Sequence, residues 1–252
     1  MEQAYVKSEL HNSVTTIEFF HPQSNSLPGK ILEELSQAIH GAGNDKYTKV
    51  IILKSAGQKA FCAGASFDEL IAINNKEEGL QFFSGFANVI NAMRTCPKFI
   101  IGRIHGKCVG GGVGLAAAVD YAIAKEGAEV KLSELAVGIG PFVVGPAVER
   151  KIGTSAFSQL AIDASLWRNA DWARGKGLYA ELHPDTAGMD ESIRRLADTL
   201  AHSSTDAMAE MKKIFWEGTE HWNDFLIERA KISGRLVLSD FTKKAIEKFK
   251  TK

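Results

Sequence analysis

The sequence predicts an α/β fold, an α/β core followed by helices alone, and three observations carry that expectation. Apolar β runs alternate with helical patterns through the first half of the 252 residues. From Thr154 onward only helical spacing appears. Between the two lies Ile100-Ile101-Gly102-Arg103-Ile104, which leads through Gly110-Gly111-Gly112 into an Ala-rich segment ending near Asp120. Such a turn lets backbone approach a ligand closely, and the helix after it aims free N–H groups at whatever sits in front. Phosphate, carboxylate and a developing oxyanion all fit that description.

Taken in order, Val14-Thr15-Thr16-Ile17-Glu18-Phe19-Phe20 is rich in β-branched and aromatic residues and predicts a strand. Asn25-Ser26-Leu27-Pro28 reads as a helix entry, with Ile31, Leu32, Leu35, Ala38 and Ile39 following at helical spacing. Val50-Ile51-Ile52-Leu53 is continuously apolar, as a strand buried on both faces is. A loop of small residues, Ala60 to Ser66, precedes a helix beginning at Phe67-Asp68-Glu69-Leu70. Phe82, Phe83, Phe86, Val89, Ile90 and Met93 mark the next helix, which Pro97 stops. Short strands are expected at Tyr121-Ala122-Ile123-Ala124 and Val130-Lys131-Leu132. An irregular segment through Gly138-Ile139-Gly140-Pro141 leads to a helix over residues 145–152. Further helices are expected over 193–200, 207–215, 225–238 and 241–249.

Composition narrows the function. Lys and Arg balance Asp and Glu at 30 each, which argues against a nucleic-acid surface. Cys62, Cys96 and Cys108 are odd in number and lack metal spacing, so they read as reduced thiols of a cytoplasmic protein. No run approaches transmembrane length, the first residues lack a signal-peptide core, and neither a membrane nor a metal is expected. Gly112-x-Gly114-x-x-Ala117 nominally matches a dinucleotide fingerprint. Its glycines do not follow the strand at once, and two strand–helix units precede it. P-loop and Gly-x-Ser-x-Gly motifs are absent.

The better reading pairs two loops, Ala63-Gly64-Ala65 and Gly110-Gly111-Gly112, each offering a backbone N–H to one oxygen. Ala60-Phe61-Cys62-Ala63-Gly64-Ala65, then the glycine triplet, then Ser133-Glu134-Leu135 with Gly138 behind it, resemble the crotonase superfamily, the enoyl-CoA hydratase/isomerase proteins. The resemblance runs from about Val14 to the C-terminus. It implies a crotonase-type ββα spiral core over residues 1–195, binding acyl-CoA, and a helical C-terminal trimerisation part over 196–252. It also implies a homotrimer or homohexamer, an acyl-CoA thioester substrate of fatty-acid metabolism, and no cofactor beyond coenzyme A itself. By position, the Ala65 and Gly111 N–H groups would form the oxyanion hole and Glu134 the acid/base. Ala63 and Gly64 would lie against the adenine, Lys59 near the phosphates, and Asp68 and Phe142 along the substrate.

Two departures bear on the reaction. Hydratases of the family carry a first glutamate where this chain has Gly114, and a glycine-rich run where it has Pro141-Phe142-Val143-Val144-Gly145. A lone carboxylate in an apolar pocket has a raised pKa and can both take and return a proton. That suits isomerisation of a 3-enoyl to a 2-enoyl thioester. Single-acid hydration, for example of a methylglutaconyl-CoA, stays open, as do decarboxylation of a carboxylated acyl-CoA and a non-catalytic acyl-CoA-binding role.

Plainer explanations exist for several residues. His105 reads as a hydrogen-bonded structural histidine, and Asp68 and Glu69 as caps of their own helix. Phe215, Trp216 and Trp222 read as core or trimer contacts, and Phe67, Phe83, Phe86, Phe142 and Val143 as candidates for an acyl-tail lining. Lys248 or Lys250 is a candidate phosphate contact by resemblance.

Overall fold

The structure, a computed structural model, describes residues 3–250, with the side chains of residues 249 and 250 outside the description. β1 (Tyr5–His11) and β2 (Val14–Phe20) form an antiparallel hairpin. Its two-residue turn places Asn12 and Ser13 at φ 47° and 64°, the geometry that matches the twist of the paired strands. β1 is mostly exposed, so no apolar alternation announces it in the sequence. Ser26 and Leu27 form β3, a two-residue strand, rather than the first turn of a helix. α1 (Gly29–Asn44) begins one residue after Pro28, which has no side-chain cap. Its cap comes from elsewhere in the chain: Gly29 donates its N–H to Glu69 Oε2 at 2.7 Å.

Three successive units then repeat one plan, a long strand, a short strand and a helix or turn. The first is β4 (Val50–Ser55), β5 (Ala60–Cys62), β6 (Gly64–Ala65) and α2 (Phe67–Ala72), followed by α3 (Lys76–Thr95). The second is β7 (Phe99–Ile104), β8 (Lys107–Val109) and α4 (Gly111–Ala118). The third is β9 (Tyr121–Lys125), β10 (Val130–Lys131) and the 3₁₀ turn Leu135–Val137. α5 (Gly145–Ile162), kinked where Gly153 has φ 77°, and α6 (Ala170–Gly175) follow. β11 (Glu181–His183) interrupts the helical half, where only helices were expected. Three half-buried residues are too few to display a period.

The large sheet has the order β1-β2-β4-β7-β9-β11, parallel except at the β1–β2 hairpin. The short strands form a second sheet in the order β10-β8-β5, and β3 pairs with β6. α7 (Thr186–Ala201) lies on one face of the large sheet, packing Met189, Ile193 and Ala197 onto Val50, Ile101 and Ile123. The main core covers the other face, so β4 and β7 are apolar on both sides. α7 runs without a break across residues 195 and 196.

α8 (Thr205–Phe215), α9 (Trp222–Leu236) and α10 (Asp240–Lys250) complete the chain. α9 crosses α3 at Gly79 and Gly234, where a Cβ on Gly79 would lie 2.7 Å from the Gly234 backbone. α8 is tied down by a buried ion pair. Asp120 accepts from Lys212 Nζ at 2.8 Å, from the Ile100 N–H at 2.7 Å and from Trp216 Nε1 at 3.4 Å, and Lys212 also donates to the Lys98 carbonyl. The two side chains are 8% and 2% exposed, so removing one partner strands the other charge in the interior. Asp120→Ala should therefore lower unfolding free energy by about 3–5 kcal/mol in urea titration; a loss below about 1 kcal/mol would mean that Lys212 finds another partner.

Candidate active site

The glycine triplet begins α4. Gly110 takes φ 51° and ψ −115° and donates its N–H to the Lys131 carbonyl at 2.9 Å, fixing the turn to β10. Gly111 and Gly112 occupy the first turn of the helix, where N–H groups have no intrahelical acceptor. Gly112 sits against the Cys62 carbonyl and Gly111 against the Phe86 ring, both too close for a side chain. From the other loop, Gly64 at φ 85° brings its Cα up to the Gly111 amide: a Cβ there would stand 3.4 Å from that nitrogen. The two small-residue loops thus meet at one place, as expected.

A cleft of about 560 Å³, open solvent included, lies over this junction. Ala63, Gly64, Ala65, Gly111, Glu134 and Phe142 all line it. So do Phe67, Phe83, Phe86 and Val143, the residues expected around an acyl tail. Glu134 is the only carboxylate among these described lining residues. It stands at the entry to the 3₁₀ turn, and its carbonyl accepts from the Val137 and Ile139 N–H groups at 3.1 and 2.9 Å. A Cβ on Gly110 would lie 3.0 Å from Glu134 Oε1. The residue is half-buried as a whole, but Oε2 is buried and has no hydrogen-bond partner among the described residues. Burial pushes the carboxyl from 4.5 to about 7, outweighing the residue's own backbone N–H, which favours the charged form.

Gly114, at the position of the first glutamate expected of family hydratases, has no room for a side chain. A Cβ at this position would lie 2.7 Å from both Cβ and Cγ1 of Val144, so an apolar side chain fills the space. Nothing in a single sequence pairs these two residues. Ser133 and Ser233 also line the cleft without having been expected. Ser233 arrives on α9 through the Gly79–Gly234 crossing, which leaves no local signal.

Other expected residues lie elsewhere. Lys59 is exposed and its carbonyl packs against Gly106, outside the cleft lining. Asp68 is also outside the lining and accepts from Gln23 Nε2 at 2.7 Å. Ser66, rather than Asp68 or Glu69, caps α2, and Glu69 caps α1. His105 is 4% exposed, and neither ring nitrogen has a partner among the described residues, contrary to the hydrogen-bonded histidine expected. Burial lowers its pKa to about 4, which keeps the ring neutral. Lys248 lies on α10 outside the cleft lining, and the Lys250 side chain is outside the described residues.

A family model described as "Enoyl-CoA hydratase/isomerase" matches residues 9–251. The chain belongs to the enoyl-CoA hydratase/isomerase family. Among its relatives, a Bacillus subtilis protein described as "Probable enoyl-CoA hydratase" is 29% identical, with 94% of this chain and 92% of that protein covered. The mitochondrial methylglutaconyl-CoA hydratase of Mus musculus is 31% identical over 69% of this chain, a match spanning only 55% of that protein. An enoyl-CoA hydratase from Bacillus halodurans superposes with a TM-score of 0.89 at 22% identity, covering 97% of this chain and 99% of its own. One from Mycobacterium smegmatis gives 0.80 at 26% identity, covering 85% and 83%. The fold is that of the crotonase superfamily, with the expected α/β core and helical C-terminal part.

Two stability outcomes follow from the local chemistry. Gly114→Ala should cost about 1–3 kcal/mol through overpacking on Val144, with Val144→Gly in the same chain restoring part of it; additive losses in thermal melts would contradict this contact. Because the Glu134 carboxyl is raised in the folded state, its ionisation opposes folding. That penalty is absent below the unfolded value of 4.5 and complete once pH passes about 7. Glu134→Gln should therefore be more stable than the parent by on the order of 2 kcal/mol at about pH 8 and show no such gain at about pH 4. A pH-independent difference would show that the carboxyl titrates normally.

Proposed function

We propose that this family member is an enoyl-CoA isomerase that moves a double bond with one acid/base, Glu134. The observation that carries the reading is that Glu134 is the only carboxylate among the described cleft-lining residues, while Val144 fills the space beside Gly114. The Ala65 and Gly111 N–H groups would receive the thioester oxygen. Stabilising negative charge there acidifies the carbon next to the carbonyl. In a 3-enoyl thioester, the Glu134 carboxylate takes a proton from C2, and the electron pair delocalises into a dienolate reaching C4. The new carboxylic acid then returns its proton to C4, giving the conjugated 2-enoyl thioester. Atoms balance without water, and coenzyme A enters only as part of the substrate. A carboxyl near pH 7 suits both halves of this exchange, since it is neither too weak a base nor too weak an acid.

The aromatic and aliphatic lining supports the same reading, because hydration needs a positioned water and this lining offers few polar groups to hold one. The exposed apolar residues Met211, Ile214 and Phe215 on α8 suit burial against further copies, as in the proposed trimer or dimer of trimers.

The test follows a 3-enoyl-CoA, crotonyl-CoA and 3-methylglutaconyl-CoA by absorbance of the conjugated thioester and by mass. Formation of the 2-enoyl ester at unchanged mass is the expected result. Water gain on crotonyl-CoA without isomerisation would replace it with a single-acid hydratase, and loss of carbon dioxide with a decarboxylase. Glu134→Gln should reduce turnover by about 10²–10⁴-fold while CoA-ester binding persists. In the parent, kcat/KM should rise with pH through a midpoint near 7, as the base ionises; a flat profile would remove Glu134 from the proton transfer.

A further inference from the structure

The cleft over Glu134 shares a wall with a second one. Pro141 and Phe142 line both, so one proline and one phenylalanine separate the spaces. The second cleft, about 1160 Å³ including open solvent, lies between α5 and the first half of α9. Phe157, Trp222 and Phe225 give it an aromatic lining, and Arg150, Arg229, His221 and Glu149 supply its charged or titratable groups.

Two guanidinium groups share this lining with one carboxylate, and Asp120 behind Arg150 lies near enough to favour its charge without forming an ion pair. Arg150 lies over the Trp216 ring at 4.1 Å and Arg229 over the Phe225 ring at 4.7 Å. Neither guanidinium has a carboxylate within ion-pair distance among the described residues. Glu149, the acid of this lining, accepts from the Thr154 hydroxyl at 2.6 Å. Parked on aromatic faces, both guanidinium groups keep hydrogen-bond donors for an anion, and a carboxylate matches their fork geometry.

The dividing ring is half-buried and rests on glycine. Phe142 folds back over Gly140, where a Cβ would stand 2.5 Å from its ring, and its N–H donates to the Gly140 carbonyl at 2.7 Å. The absence of a side chain at Gly140 is what lets the ring rest there. A rotation about the Phe142 side-chain bonds moves the ring without disturbing that backbone contact.

We propose that the second cleft is the distal compartment of the acyl site, entered past Phe142, and that it receives acyl chains ending in a carboxylate. The inference rests on the reading that the first cleft holds the acyl-CoA thioester, and it adds the class of acyl group. The chain methylenes pass the Pro141–Phe142 wall, and the terminal carboxylate meets Arg150 and Arg229. Phe142 then acts as a specificity-determining residue: it closes the site behind short chains and yields to long ones.

Equilibrium binding of non-reacting thioesters tests this apart from turnover. Calorimetry compares butanoyl-CoA, octanoyl-CoA and its ω-carboxylated counterpart suberyl-CoA on the full chain. Suberyl-CoA should bind roughly ten-fold tighter than octanoyl-CoA, the scale of a charge-assisted hydrogen bond. In Arg150→Gln/Arg229→Gln that ratio should fall towards one. Phe142→Ala should improve both long esters several-fold relative to butanoyl-CoA, and Gly140→Ala, which displaces the ring without deleting it, should move the same ratio.

Equal binding of suberyl-CoA and octanoyl-CoA to the parent overturns the carboxylate assignment while leaving the thioester site standing. An unchanged chain-length ratio in both Phe142→Ala and Gly140→Ala overturns the shared-wall assignment. If none of the three esters binds, the thioester reading and this inference fall together.

Discussion

The close approach of the α4 N-terminus to the Ala63–Ala65 loop is the constraint on which the rest of the site depends. Gly112 leaves no room beyond the Cys62 carbonyl, and Gly64 brings its Cα to the Gly111 amide. Any side chain at those positions would drive the two loops apart, and with them the amide groups proposed to share one oxygen. The large sheet helps set the distance between the loops, because β4 and β7 are hydrogen-bonded neighbours and each begins the unit that contains one of the loops. The short sheet then locks the pairing a second time, through β5 and β8. Two independent ladders holding one junction give the rigidity that electrostatic stabilisation of a transient charge requires.

Glu134 shows the opposite physical choice. Its carboxyl is placed where water is largely removed and Oε2 has no partner among the described residues, which destabilises the charged form and raises the pKa. The fold tolerates this because the backbone around Glu134 is well bonded: its carbonyl serves both the 3₁₀ turn and Ile139. Val144 completes the environment by filling the space beside Gly114 with methyl groups. The same packing leaves no room for a side chain at Gly114 and lines that side of the cleft with methyl groups.

The C-terminal helices matter to the cleft as well as to the core. α9 reaches α3 closely only because Gly79 and Gly234 let the two backbones touch, and Ser233 beside that crossing joins the lining. α10 approaches Gly138, just past the 3₁₀ turn, with Phe241 and Thr242. α8 is fixed through the buried Lys212–Asp120 pair to the residue that closes the turn after α4. The position of Glu134 is therefore bounded by segments from both halves of the chain.

By itself the sequence determined the elements that local physics can specify. Continuous apolar runs marked β4 and β7, helical spacing marked α1 and α3, and the glycine triplet marked a backbone that nothing larger could occupy. The resemblance carried by three ordered motifs grouped Ala65, Gly111 and Glu134, and all three line one cleft. Tertiary structure alone decided the rest. β1 and β11 are too exposed or too short to show a period, and α1 takes its cap from Glu69 because Pro28 offers no side-chain oxygen. The meeting of Val144 with Gly114, the arrival of Ser233 and the sharing of Phe142 between two clefts join residues far apart in the chain. Periodicity and propensity describe each segment against its own neighbours, and these contacts exist only once the sheet has fixed which segments face one another.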